Sequence, residues 1–136
     1  MSIRILVADD HAAIRRLLRR LLEDHHPEWK VCDEAADGAE TLQKFSDGKP
    51  DLLVIDLAMP KMNGLQAARE IAKLNPNTPM LLLTVQQVSQ HLRDEAKKAG
   101  FRGAVSKNTG TEVIRGLEAL LRDETYFVGD GPIVAA

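Results

Sequence analysis

The chain alternates two hydrophobic periods, and that alternation constrains its fold more than any other feature. Leu52, Leu53, Val54 and Ile55 form an apolar run too short for a free-standing helix, which reads as a strand buried on both faces. The run stops at Asp56, and Pro60 and Gly64 then break regular structure into a loop. Ile3 and Ile5 to Ala8 make a similar run that ends at Asp9 and Asp10. Others centre on Val31 and Cys32 within 30–36, on Met80 to Leu83 ending at Thr84, and on Phe101 to Ser106 ending at Lys107. Between them the period lengthens to that of helices. Ile14, Leu17, Leu18, Leu21 and Leu22 line one apolar stripe, and Arg15, Arg16, Arg19 and Arg20 fall opposite it. That basic face reads as solvated, as most such faces are, or as a docking surface for an acidic partner. The next helices carry Leu42 and Phe45, then Leu65, Ala68, Ile71 and Ala72, then Val88, Leu92, Ala96 and Ala99. A last one is built on Val113, Ile114, Leu117, Leu120 and Leu121. Capping signals stand at Asp37–Glu40, Asn63 and Thr109–Glu112.

This strand–helix unit occurs five times in sequence. It predicts an α/β fold: one five-stranded parallel sheet, right-handed crossovers, and helices on both faces. With 136 residues and 44% hydrophobic content, the chain can bury the core of one domain. A formal net charge of −2 does not suggest nucleic-acid binding. A single cysteine, Cys32, excludes an internal disulfide, and no apolar run approaches the length of a membrane span. The expected protein is soluble and cytoplasmic. His25 and His26 are adjacent, so they do not share a helix face and make a poor metal site.

In a parallel sheet all strand carboxyl ends lie on one edge, where open α/β sheets keep their sites. Taken alone, Asp56 reads equally well as a loop cap, since Asp is a common turn residue. Asp9, Asp10, Asp56, Thr84 and Lys107 converging on that edge read instead as a site. Three carboxylates against one ammonium leave it negative, which a hard divalent cation would cancel. Few protein carboxylates, with other positions left to water and phosphate, suit Mg²⁺. A nucleophilic carboxylate beside Mg²⁺ and a lysine suits phosphoryl transfer to Asp56, with Thr84 donating a hydrogen bond.

The acidic pair Asp9-Asp10, Asp56 followed by Met59-Pro60 and Gly64, then Thr84 and Lys107, resembles the receiver domain of two-component response regulators. The resemblance spans about residues 3 to 122 and implies a flavodoxin-like (βα)₅ fold of strand order 2-1-3-4-5. It implies a signalling switch, not an enzyme in the usual sense, with Asp56 accepting a phosphoryl group from a histidine kinase or phosphotransfer protein. Mg²⁺ would be held by Asp10, Asp56 and the backbone carbonyl of Ala58, with Asp9 acting mainly through water. Lys107 would pair with Asp56, and Thr84 would move toward the phosphoryl group. The segments around Gly38, Gly64, Ala99-Gly100 and Thr125-Tyr126-Phe127 are most similar to receivers that precede a helix-turn-helix DNA-binding domain. On that basis residues 1–123 are the receiver and 124–136 a tail or truncated linker, too short for such a domain. The chain itself is then expected to bind neither nucleic acid nor membrane, and a homodimer through the last two helices is expected by analogy.

Three positions depart from the family pattern. Many receivers have an aromatic three residues before the lysine, where this chain has Ala104. The residue after Thr84 is usually small, and here it is Val85; the residue after Lys107 is Asn108, where proline or an acid is frequent. Ala104 and Val85 leave a second reading open, a receiver-like interaction module with atypical or no phosphorylation.

Overall fold

The computed structural model describes residues 2–108 and 110–127. Chain order gives β1 (Ile3–Ala8), α1 (Ala12–His25), β2 (Trp29–Ala35), α2 (Gly38–Gly48), β3 (Leu52–Asp56) and α3 (Gly64–Leu74). There follow β4 (Met80–Thr84), α4 (Gln90–Ala99), β5 (Gly103–Ser106), α5 (Gly110–Leu121) and β6 (Tyr126–Phe127). The sheet is wholly parallel, in the order β2-β1-β3-β4-β5-β6. The fold class and the order of the first five strands are as expected, but the sheet has six strands. The segment after α5, expected to lack regular structure, adds a short parallel strand to β5.

The period-two alternation of the strands divides the core. Ile5, Val7, Leu52, Val54, Leu81, Leu83 and Val105 face α1 and α5, where they meet Leu18, Leu22 and Leu117. Leu6, Ala8, Leu53, Ile55, Leu82 and Ala104 face α2, α3 and α4, against Phe45, Ile71 and Ala96. Every residue of β3 and β4 is buried, which is why those runs read as uninterrupted hydrophobics.

Helix starts follow local chemistry. Asp37 accepts the N–H of Glu40, and Asn63 and Gln66 form a reciprocal capping box at α3. Ser89 caps α4, so Val88 lies just before that helix, buried in the core rather than on its apolar stripe. Thr109, the other expected cap, and residues 128–136 lie outside the described residues.

Helix α1 corrects the sequence reading in two ways. Leu17, expected on the apolar stripe, is 61% exposed; Leu18 and Leu22 carry the packing, with Ile14 and Leu21 partly buried beside them. The four arginines do not form one solvated face. Arg15 Nε and Arg19 Nη2 pair with Glu34 of β2 at 2.9 and 2.8 Å, while Arg16 and Arg20 remain exposed. The buried stripe is centred on Leu18 and Leu22, and beside it two guanidiniums reach over the β2 edge to a carboxylate that periodicity does not reveal. His26 likewise serves packing: its ring stacks on Trp29, and Nε2 lies 2.8 Å from Glu118 of α5.

Candidate functional site

Strand ends and the turn chemistry after them build the site. The alternation of β1, β3 and β5 puts Asp56, the last residue of β3, on the same side of the sheet rim as Asp9 and Lys107, each one residue beyond its strand. They do meet there. Lys107 Nζ lies 2.7 Å from Asp9 Oδ2 and 3.2 Å from Asp56 Oδ1. Asp9 is fully buried, Asp56 is 3% exposed, and the Lys107 side chain is 10% exposed. Asp9 Oδ2 makes no hydrogen bond of good geometry, so its contact with the ammonium is an electrostatic one.

Gly64 holds this corner together. A Cβ there would sit 2.3 Å from the Asp56 carbonyl oxygen, so only glycine lets the start of α3 close against the end of β3. The Gly64 N–H donates to the Leu57 carbonyl at 2.9 Å, and the Leu57 N–H to that of Leu83 at 2.8 Å. These bonds orient the Asp56–Ala58 turn. Thr84, 2% exposed, ends β4 with its hydroxyl accepting the N–H of Gln86 at 3.0 Å. A cavity of about 120 Å³ lies between His11, Asp56, Ala58, Thr84, Val85 and Lys107. Val85 is 67% exposed and lines the mouth, and Ala104 is fully buried lower in the sheet. A larger cavity, about 530 Å³, lies at the opposite edge between Phe45, Leu74 and Pro79, away from these groups.

The electrostatics are unbalanced. Burial, reinforced by the Asp9 charge, pushes the Asp56 carboxyl up to about 6 despite the opposing pull of Lys107. Burial draws the Lys107 ammonium down, but its close pairing with the Asp9 and Asp56 carboxylates outweighs that, and its pKa is raised. One ammonium does not neutralise the rim. Asp10 turns outward, with its Oδ1 3.1 Å from His11 Nδ1. Asp9, Asp10 and His11 each bring one ligand atom within 4.8 Å of one another, whereas Asp56 stands with Lys107 outside that group. The donors facing the excess negative charge are carboxylate oxygens, which fits a hard divalent cation.

Two neighbours escape notice in the sequence. The N–H of His11 donates to Asp9 Oδ1 at 2.9 Å, and Gln86 holds Thr84 as described. The His11 bond is the two-residue return typical of Asx turns, so an acid at a strand end was the available signal.

A parallel α/β sheet of this strand order, with paired aspartates and a lysine at its carboxyl rim, defines a flavodoxin-like domain. The chain belongs to the response regulator receiver domain family, which it matches over residues 5–121. It is 34% identical over 107 residues to the chemotaxis protein CheY of Thermotoga maritima, covering 79% of this chain and 87% of that one. It is also 34% identical over 125 residues to the oxygen regulatory protein NreC of Staphylococcus epidermidis, covering 90% of this chain but 56% of NreC. The chain therefore spans little more than half the length of that relative. Among solved structures it is similar to a LuxR-family two-component response regulator from Aurantimonas sp. SI85-9A1, with TM-score 0.87 and 31% identity, covering 93% and 89% of the two chains. Among the described residues no helix is long and apolar enough to cross a membrane.

Proposed function

We propose that this chain is a phosphorylation-controlled signalling switch of the cytoplasm, with Asp56 the residue that accepts the phosphoryl group. The contact of Lys107 with both Asp9 and Asp56 carries this reading. The donor is a phosphohistidine of a histidine kinase or phosphotransfer protein. An Asp56 carboxylate oxygen attacks phosphorus, the O–P bond forms, the P–N bond breaks, and the electron pair returns to the donor imidazole. Lys107 Nζ, already against the carboxylates, offsets charge on the transferring oxygens. Thr84 leaves the Gln86 N–H and turns its hydroxyl to donate to a phosphoryl oxygen.

Asp10, Asp56 and the Ala58 carbonyl would hold Mg²⁺, with Asp9 acting through water. Its role there is to neutralise oxygens that one lysine leaves uncompensated. The carboxylates of Asp9, Asp10 and Asp56 gathered at one rim with a single ammonium support a cation there.

The test is intact mass after incubation with Mg²⁺ and a small phosphodonor. One added phosphoryl group, absent when metal is chelated, is the expected result. No added mass would favour the interaction-module reading, to which Val85 at the mouth and Ala104 in β5 lend their support. Val85 also carries a graded expectation. A β-branched side chain over a narrow mouth hinders both the donor and attacking water, so Val85→Ala should speed phosphorylation and self-dephosphorylation together, severalfold each. Equal rates in both proteins would show that the mouth does not limit access.

A further inference from the structure

Strand β6 is only two residues long, yet the protein makes room for it from several directions. A Cβ on Gly103 would lie 2.6 Å from the Tyr126 carbonyl oxygen, and one on Gly116 would lie 3.3 Å from the Tyr126 ring. The Tyr126 N–H donates to the Arg102 carbonyl at 2.9 Å, and its hydroxyl to Glu112 of α5. Tyr126 packs on the α1/α5 side of the sheet, and Phe127 on the α2/α3/α4 side. Phe127 pairs in register with Ala104, so the two side chains share a face. From α4, Lys97 Nζ stands 5.0 Å from the centre of the Phe127 ring. An aromatic thus lies beside β5 where the strand itself has only a methyl group.

A line of contacts joins this ring to the rim. Thr84 has the parity of Leu82, which pairs with Ala104, so Thr84, Ala104 and Phe127 lie on one face. The Thr84 hydroxyl holds the Gln86 N–H; Val88 is buried in the same cluster as Ala104; Ser89 Oγ then caps α4 at the Leu92 N–H, 3.1 Å away. Helix α4 brings Lys97 over Phe127. Turning Thr84 toward a phosphoryl group would remove its bond to the loop that leads into α4, the helix that carries Lys97.

We infer that the Tyr126–Phe127 strand is a releasable strap, whose Phe127 ring takes the place of an aromatic at Ala104 and links the state of Asp56 to the chain beyond residue 127. This rests on the phosphoacceptor reading above. Half-buried aromatics on a two-residue edge strand belong to the part of a fold that opens most readily. Release would uncover the backbone edge of β5, which is otherwise paired.

Beryllofluoride with Mg²⁺, an analogue of a bound phosphoryl group, provides the test on the full chain. On saturation, amide hydrogen exchange in a peptide spanning residues 122–127 should accelerate at least about fivefold, the low end of ordinary coupling between sites. Coupling is reciprocal, so Phe127→Ala should bind beryllofluoride tighter by a similar factor of about five. The wild-type measurement stands whether or not the variant folds. Tight binding with unchanged or slower exchange at 122–127 would overturn the strap and leave the phosphoacceptor reading intact. Absence of beryllofluoride binding would overturn both.

Discussion

Asp56→Asn is expected to take up no phosphoryl group under conditions that load the wild-type chain, and to be the more stable protein at neutral pH. The first result follows from replacing the attacking carboxylate with an amide, which lacks the anionic oxygen. The second follows from the environment of Asp56. Its carboxyl is displaced from an ordinary 3.8 to about 6 by burial and by the charge of Asp9, with Lys107 opposing. Because the folded pKa lies above the unfolded one, Asp56 favours folding when protonated. That contribution is complete below 3.8 and is lost as pH rises through about 6. Above that pH the fold bears the cost of a buried, undercompensated carboxylate, on the order of 3 kcal/mol. Asparagine fills the same space without the charge. Urea unfolding without divalent cations should show the variant ahead by about that much at neutral pH, with the gap closing toward pH 4. A gap that does not change with pH would mean that Asp56 is not the titrating group.

Removing Lys107 should have the opposite effect, and a larger one. Its ammonium is the only cation within ion-pair distance of Asp9 Oδ2 and Asp56 Oδ1 among the described residues. Lys107→Ala leaves two buried carboxylates facing each other, and breaking a buried pair in this way typically costs about 3–5 kcal/mol. Uptake of phosphate should fall with it, since charge on the transferring oxygens then goes unmatched. Asp9→Asn in the Lys107→Ala background should recover much of the stability, because it removes the charge left unpaired. A double-mutant cycle by urea unfolding measures that recovery. Additive losses would show that Asp9 and Lys107 are not coupled, contrary to their 2.7 Å contact.

The legible parts of this chain are those governed by local rules. Buried parallel strands must be short and apolar, so β1, β3 and β4 stand out; caps at Asp37 and Asn63 announce their helices. Parallel strands share a carboxyl edge, so strand polarity alone assigns Asp9, Asp56, Thr84 and Lys107 to one rim. Less legible were features set by non-local partners. Leu17 has the spacing of a core residue, but Arg15 and Arg19 turn toward Glu34 and the helix presents Leu18 and Leu22 instead. Tyr126 and Phe127 show no strand period because two residues are too few to have one; the open edge of β5 and the space at Gly103 make them a strand.

Sequence alone thus settled which residues reach the rim, since periodicity and strand polarity follow from backbone geometry that every such fold obeys. Only the tertiary structure decided how they divide there: Lys107 between Asp9 and Asp56, Asp10 turned out toward His11, and Thr84 held by Gln86. Those choices depend on distances of a few ångströms between segments far apart in the chain, where burial sets the strength of each charge. No local pattern encodes that.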